Sequence, residues 1–312
     1  MEGCMSDIFC LDPAYSTTRS VTRTEPVIEK SQDSQVDGML FLPHNPDRNG
    51  EGGLRTKGYF KSSLPGKPLV SIVTVVFNGE KYLEQTIQSV INQTYDAVEY
   101  IIIDGGSTDG TLDIIKKYDS WIDYWVSEPD SGISDAFNKG IVTSSGDLIG
   151  MINADDWYDP CAVEVVVNNF RSIICFSYAG CTYVSNNGRT KYIPPIKNYS
   201  RQIRKYMPHL HHPTIFVKRE IYFKIGLFEK KYKYAMDYSF LLRLYLEGFI
   251  GTPLFRNIVY MRTGGVSDKM YWNTRKEVYH ISHSHGLPKP IAQFFYCWFV
   301  FKYLVRKALN VG

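Results

Sequence analysis

The chain has 312 residues, 44% of them hydrophobic, and a formal net charge of +3 at pH 7. This length accommodates one large domain, or one domain with additions. The nearly balanced charge disfavours strong electrostatic steering toward nucleic acid, so no nucleic-acid partner is expected.

The six cysteines form no Cys-x-x-Cys pair, which favours reduced thiols in a reducing compartment. The N-terminus has no basic segment followed by an apolar run, so no signal peptide is predicted. Together these features predict a cytoplasmic protein.

Residues 1–67 are rich in Ser, Thr, Asp, Gly and Pro, and their apolar residues are scattered. This composition predicts a disordered or loosely docked leader that ends near Pro65-Gly66-Lys67-Pro68.

Apolar runs and helical spacing alternate after the leader. The runs predict strands at 69–77, 100–103, 122–126 and 147–152, and the spacing predicts helices at 82–93, 112–118 and 134–141. Such alternation is typical of a parallel sheet covered on both faces. The second half is more mixed, with predicted strands at 176–184 and 214–217 and predicted helices at 221–225 and 238–246.

The C-terminal segment, residues 269–312, is basic and aromatic. It contains seven Lys/Arg against a single acid, and seven aromatic residues lie within 291–309. Its uncharged part is shorter than the ~20 residues needed to cross a bilayer. A helix in the membrane interface, with its basic residues on anionic lipid, is one interpretation, and a final helix packed on the domain is the other. Because Trp and Tyr lie beside the charges, we favour the membrane.

Acidic residues follow two of the predicted strands. Asp104 ends the second strand, and Asp155 and Asp156 come directly after the fourth. Paired carboxylates suit a divalent cation, and the carboxyl ends of neighbouring strands share one crevice in an open α/β sheet. These acids predict a site for a nucleotide and its metal. The first strand–helix turn, Phe77-Asn78-Gly79-Glu80, matches neither a dinucleotide-binding turn nor a P-loop.

Four segments resemble family 2 glycosyltransferases with the GT-A fold: VSIVTVVFN at 70–78, IDGGSTDGT at 103–111, SEPDSGISDAFNKG at 127–140 and NADD at 153–156. The resemblance covers roughly residues 69–265. It implies an α/β GT-A domain at 68–268, in which helices flank a nucleotide-binding mixed sheet, followed by the amphipathic helical segment.

The resemblance also implies roles for individual residues. Thr74 and Asn78 match positions that approach the nucleoside, and Asp104 matches the acid that accepts a hydrogen bond from uracil. Asp155 is expected near the ribose, and Asp156 on a Mn²⁺ or Mg²⁺ ion that bridges the diphosphate. The alternative for the acid pair is a turn or N-cap before Trp157.

The helix at 134–141 offers Asp135 and Lys139 for the ribose or phosphates, unless they form a solvated helix face. His212 is expected near the diphosphate or the acceptor, or as a structural histidine. The loop 264–267 resembles a lid over the active site, and a plain turn is the alternative. Arg262 or Lys269, which flank this loop, would reach phosphate there.

Asp237 matches the general base that such enzymes place at the start of a helix facing the anomeric carbon. A helix N-cap is the competing interpretation, and both roles are compatible. The Glu-Asp pair usual in such enzymes is replaced here by Met236-Asp237.

These features predict an inverting, metal-dependent glycosyltransferase that moves a sugar from a UDP-linked donor to a saccharide or lipid-linked acceptor. We expect a role in surface polysaccharide or lipopolysaccharide assembly, at the inner face of the cytoplasmic membrane. A sugar nucleotidyltransferase and a non-catalytic nucleotide-sugar-binding module are the alternatives. The turn at Asn78-Gly79-Glu80 lacks the Gly-rich basic loop of the former.

Overall fold

A computed structural model describes residues 8–28, 34–169, 175–264 and 270–308. The strands are β1 (Gly50–Gly52), β2 (Val70–Val76), β3 (Val98–Asp104), β4 (Tyr124–Ser127), β5 (Leu148–Asn153), β6 (Trp157–Tyr158), β7 (Phe176–Val184), β8 (Thr190–Ile193), β9 (Ile215–Lys218) and β10 (Gly251–Arg262). The helices are α1 (Ser16–Arg19), α2 (Leu83–Ile91), α3 (Thr111–Lys117), α4 (Ile133–Thr143), α5 (Ala162–Asn169), α6 (Ser200–Ile203), α7 (Arg219–Ile225), α8 (Met236–Leu246), α9 (Tyr271–Ser284) and α10 (Lys289–Ala308).

These strands form one mixed sheet in the order β1-β4-β3-β2-β5-β9-β7-β10-β6, with β8 paired to β7. The strands β4, β3, β2 and β5 are parallel, as their alternation with helices predicts. Beyond β5 the sheet becomes mixed, because β9 runs antiparallel to both β5 and β7. The predicted α/β fold with a mixed sheet flanked by helices is confirmed.

Hydrophobic cores lie on both faces of the sheet. Along β2, Val73 and Val75 join the cluster under α4, α7 and α8, whereas Val70 and Ile72 join the cluster under α2, α3 and α5. Successive strand residues point to opposite faces. Because both faces are covered, all seven residues of β2 are buried.

The segment before residue 68 differs from the predicted loosely docked leader. β1 pairs antiparallel with β4 and so extends the sheet. Arg55 Nη2 donates to Glu99 Oε1 at 2.5 Å, and Lys61 Nζ lies 3.3 Å from Asp123 Oδ2, with all four side chains buried. In its described residues the segment thus docks through buried ion pairs as well as through a few apolar side chains such as Leu54 and Phe60. Its low apolar content suggested weak docking because it does not report these ion pairs.

The C-terminal helices α9 and α10 pack together as a hairpin. The rings of Tyr271 and Tyr303 stack at 4.2 Å, and Tyr206 contacts Phe295 and Phe299. The opposite face of α10 leaves a row of apolar side chains exposed: Ile291, Phe294, Trp298, Phe301 and Val305. Among the described helices, none is long and apolar enough to cross a membrane. One face of α10 therefore packs on the protein, and the membrane interpretation stays a prediction about the exposed row.

Candidate functional site

The carboxyl ends of β2, β3 and β5 lie side by side. Val76 pairs with Asp104, and Val75 pairs with Asn153. The loops that follow these strands therefore line one edge of the sheet, where open α/β sheets bind ligands.

Asn78 joins the loop after β2 to the loop after β3. Its backbone N–H donates to Ser107 Oγ at 2.7 Å, and its Oδ1 accepts from the Thr108 N–H at 2.9 Å. Its φ of 52° lies in the left-handed region, which asparagine tolerates better than most residues. The structure places Asn78 at the edge of the crevice, where its side chain holds the second loop.

Asp104 and Thr74 are buried. The Asp104 carboxylate accepts hydrogen bonds from the N–H and hydroxyl of Ser107 and from Ser127 Oγ, the last at 2.6 Å. The Thr74 hydroxyl lies 3.1 Å from the Tyr100 hydroxyl, inside the core under α2 and α3. Asp104 thus shapes the loop after β3 and Thr74 packs in the interior, and the nucleoside contacts expected of these two residues stay predictions.

Phe77 was not among the predicted site residues, yet its ring is 65% exposed directly after β2. A Cβ added at Gly105 would lie 3.5 Å from the Phe77 ring and 2.5 Å from Asp130 Oδ2, so the absence of a side chain there leaves space between them. An exposed aromatic face at the crevice suits stacking of a nucleobase. The sequence signal was an aromatic residue between a buried strand and a turn asparagine.

Asp156 lies behind the crevice, after β5. It is 3% exposed; its Oδ1 accepts the backbone N–H of Arg262 at 3.0 Å, and its Oδ2 accepts from Asn153 Nδ2 at 3.2 Å. Burial and the neighbouring Asp155 raise its pKa to about 7. Two adjacent carboxylates whose charges repel suit a hard divalent cation, which prefers oxygen ligands. Within the described residues, no cluster of three or more His, Cys, Asp or Glu side chains adds to this pair.

Asn153 links the acid pair to His212. His212 Nε2 lies 3.1 Å from Asn153 Oδ1, and burial together with His211 lowers the pKa of His212 to about 4. A neutral His212 therefore donates through Nε2–H to Asn153, whose amide in turn donates to Asp156. The structure thus connects His212 to the candidate metal acid through a residue that the sequence analysis did not single out.

Asp237 is the second residue of α8 and is partly buried. Its Oδ1 accepts the N–H of Tyr238 at 2.7 Å, and burial raises its pKa to about 6. Asp237 and His212 line one cavity, together with Met151, Ile215, Tyr222, Phe228, Phe240 and Leu241. The candidate base and the histidine that reaches toward Asp156 therefore border the same apolar space.

Asp135 and Lys139 on α4 form ion pairs within the protein. Asp135 Oδ1 lies 2.5 Å from Lys230 Nζ, and Lys139 Nζ lies 2.7 Å from Glu128 Oε1. Glu128 also accepts from Arg48 Nε at 2.9 Å. The structure therefore does not join either side chain to the acid pair.

Arg262 ends β10 beside the acid pair. Its guanidinium lies 4.1 Å from the Tyr82 ring centroid and 4.6 Å from that of Trp157, which orients a positive charge next to the site. The predicted lid falls outside the described residues except for Gly264, and Lys269 lies outside them as well.

The model of the family described as glycosyl transferase family 2 matches residues 71–228. An uncharacterised glycosyltransferase of Rickettsia typhi is 31% identical over 182 residues, which are 55% of this chain and 57% of that protein. Chondroitin synthase of Escherichia coli is 30% identical over 193 residues, 59% of this chain and 27% of the synthase. The chain thus spans less than two thirds of the length of these relatives.

Two solved structures share the fold at low sequence identity. Residues 1–349 of Staphylococcus aureus TarS, in complex with UDP-GlcNAc, give a TM-score of 0.53 at 18% identity, covering 78% of this chain and 76% of that one. The Pyrobaculum calidifontis mannosyltransferase, in complex with GDP-Man and Mn²⁺, gives 0.56 at 17% identity, covering 73% and 68%. The sheet and helices described above are thus those of the GT-A fold.

Proposed function

The chain belongs to glycosyl transferase family 2, and we propose that it is an inverting glycosyltransferase that moves a sugar from a UDP-linked donor to a hydroxyl group of a saccharide or lipid-linked saccharide. The observation that carries the proposal is the hydrogen-bonded path from Asp156 through Asn153 to His212, which shares a cavity with Asp237. This path links a candidate metal acid to the cavity that the candidate base lines. The TarS complex with UDP-GlcNAc supports a UDP-linked donor, and the similarity to chondroitin synthase supports a polysaccharide product.

The donor's nucleoside diphosphate would lie along the carboxyl edge of the sheet. Phe77 stacks on the base, and Asn78 holds the adjoining loop. Asp155 and Asp156 would hold Mn²⁺ or Mg²⁺, which stabilises the charge that grows on a departing diphosphate. Arg262 adds positive charge on the same side.

Asp237 acts as the general base. With a pKa of about 6 it is mostly ionised at neutral pH, yet basic enough to accept a proton from an attacking hydroxyl. The acceptor oxygen bonds to the anomeric carbon as the bond from that carbon to the diphosphate oxygen breaks. The proton passes to Asp237, UDP leaves, and the configuration at the anomeric carbon is inverted.

Calorimetric titration with UDP, GDP and dTDP, each with and without Mn²⁺, tests the donor site. We expect Mn²⁺-dependent binding of UDP, lost in Asp156→Ala and retained in Asp237→Ala, whereas turnover is lost in both variants. Tighter binding of GDP or dTDP than of UDP would contradict a UDP-linked donor. GDP is the more important comparison of the two, because the mannosyltransferase of the same fold was solved with GDP-Man. Binding of no nucleotide would contradict the transferase itself.

We also propose that the protein acts at the cytoplasmic face of a membrane. The exposed apolar row on α10 has Lys289 and Lys302, both exposed, along its length. Aromatic side chains enter the headgroup boundary while lysines meet anionic lipid. A Phe294→Ser/Trp298→Ser double variant should lose sedimentation with anionic vesicles, whereas Phe255→Ser, which alters an exposed phenylalanine of β10, should not. Unchanged sedimentation of the double variant would refute this assignment.

A further inference from the structure

The C-terminal hairpin contributes a carboxylate to the helix that carries Asp237. On α9, Glu277 Oε1 accepts the N–H of Lys233 at 2.9 Å. Its Oε2 accepts the N–H groups of Tyr234 and Ala235 at 2.8 and 2.9 Å. A side chain more than forty positions away along the chain thus binds three consecutive amides immediately before α8.

This contact supplies what α8 lacks locally. The residue at its N-cap position, Ala235, provides no side-chain hydrogen bond. The first N–H groups of a helix have no partner within it, and a negative charge there interacts favourably with the helix dipole. Glu277 binds the N–H of this N-cap residue from a separate helix, and its other two hydrogen bonds hold the turn that leads into α8.

The position of Glu277 is itself fixed by packing. Its neighbours Val278 and Ile281 on α9 are buried in the same core as Met236 and Leu241 of α8. A shift of α9 would therefore move the cap and the first turn of α8 together.

We propose that Glu277 is a positioning residue for the base: it fixes the turn at 233–235, and so the carboxylate of Asp237 two residues later, relative to the crevice. The inference rests on the proposed function of Asp237. It makes the hairpin part of the catalytic architecture as well as of the membrane-facing surface.

Glu277 also acts on Asp237 through its charge, which adds to the effect of burial in raising the pKa of Asp237. The other titratable groups at the same cavity are His212 on the turn before β9 and Tyr222 on α7. Burial keeps Tyr222 protonated, and burial together with His211 keeps His212 neutral. Glu277 is therefore the charged group whose removal should alter the titration of Asp237.

The test compares Glu277→Gln with Glu229→Gln, a matched control because Glu229 accepts from the Ser239 hydroxyl of the same helix, whereas the backbone N–H groups at 233–235 donate to Glu277. We expect Glu277→Gln to lower kcat about tenfold, because the turn at 233–235, and with it Asp237, would no longer be fixed. A tenfold change in rate has the same free-energy equivalent as a shift of one pKa unit. The acid limb of its kcat/KM profile should move to lower pH, with UDP affinity unchanged within about twofold. The control should leave the profile in place. A wild-type profile in Glu277→Gln, or an equal shift in the control, would overturn the proposal.

A second readout does not depend on turnover. The pH dependence of unfolding, compared between Asp237 and Asp237→Asn chains, reports the pKa of Asp237 directly. Repeated in the Glu277→Gln background, it should give a lower pKa. An unchanged pKa of Asp237 would refute its coupling to Glu277. If the pKa is lowered but the wild-type chain shows no transferase activity, the coupling is correct and the proposed function is wrong.

Discussion

Replacing Asp237 by Asn should abolish turnover and at the same time stabilise the protein at neutral pH. Burial raises the pKa of Asp237 from 3.8 to about 6, so folding disfavours its ionised form. At one pKa unit per 1.36 kcal/mol, the ionised carboxylate costs about 3 kcal/mol of folding free energy. Asparagine carries no charge and removes this cost, but it cannot accept the proton of an attacking hydroxyl.

The sign of the pH dependence follows from the raised pKa. The stabilisation due to a protonated Asp237 is complete below its unfolded value of 3.8, and it is lost as the pH rises through about 6. The advantage of Asp237→Asn should therefore grow with pH. Between pH 5 and pH 8 the increase should be about 1.4 kcal/mol, roughly half of the total.

Urea unfolding of both chains at several pH values measures this difference. A constant cost of the new amide group cancels when the difference between the chains is compared across pH. A difference that stays constant from pH 5 to pH 8, or that shrinks as the pH rises, would refute the assignment of a raised pKa to Asp237. Activity should be lost at every pH.

Three further outcomes follow from the contacts described above. Phe77→Ala should weaken UDP binding by about 1–3 kcal/mol in calorimetry, because a stacked base loses its platform, while thermal stability changes little because the ring is 65% exposed. Asn153→Ala should lose the link to Asp156 and weaken Mn²⁺-dependent UDP binding by about 1–3 kcal/mol, and unchanged binding would count against the path. Arg55→Ala leaves Glu99 buried without its ion-pair partner and should cost about 3–5 kcal/mol in urea unfolding; an exposed ion-pair control, Lys117→Ala, should cost less than about 1 kcal/mol.

The central strands were predictable from sequence because they are buried on both faces. The run at 69–77 corresponds to β2 (Val70–Val76), and 176–184 corresponds to β7. The start of α8 was predicted two residues late, since Met236 and Asp237 precede its main apolar stripe. Continuous apolar runs report burial, whereas helix ends depend on capping contacts.

The site was less predictable because motif position does not determine which way a side chain points. Thr74 lies on the same face of β2 as Val70 and Ile72, and its hydroxyl lies 3.1 Å from that of Tyr100 inside the core. The contact between His212 and Asn153 joins residues 59 positions apart, and neither local pattern indicates it. Such pairings arise from the register of β5 and the turn before β9 in the folded chain.

The short strand β1 has a consequence for the solubility of shortened forms of the protein. It occupies the outer side of β4, where Gly50 and Gly52 lie flat against the Trp125 ring. A chain that began at Pro68 would uncover that ring and leave the peptide groups of β4 without partners along one side. An exposed strand edge of this kind is a template for pairing with another molecule. Residues 50–52 therefore protect the edge of β4 from pairing with another molecule, and a chain that lacks them should aggregate.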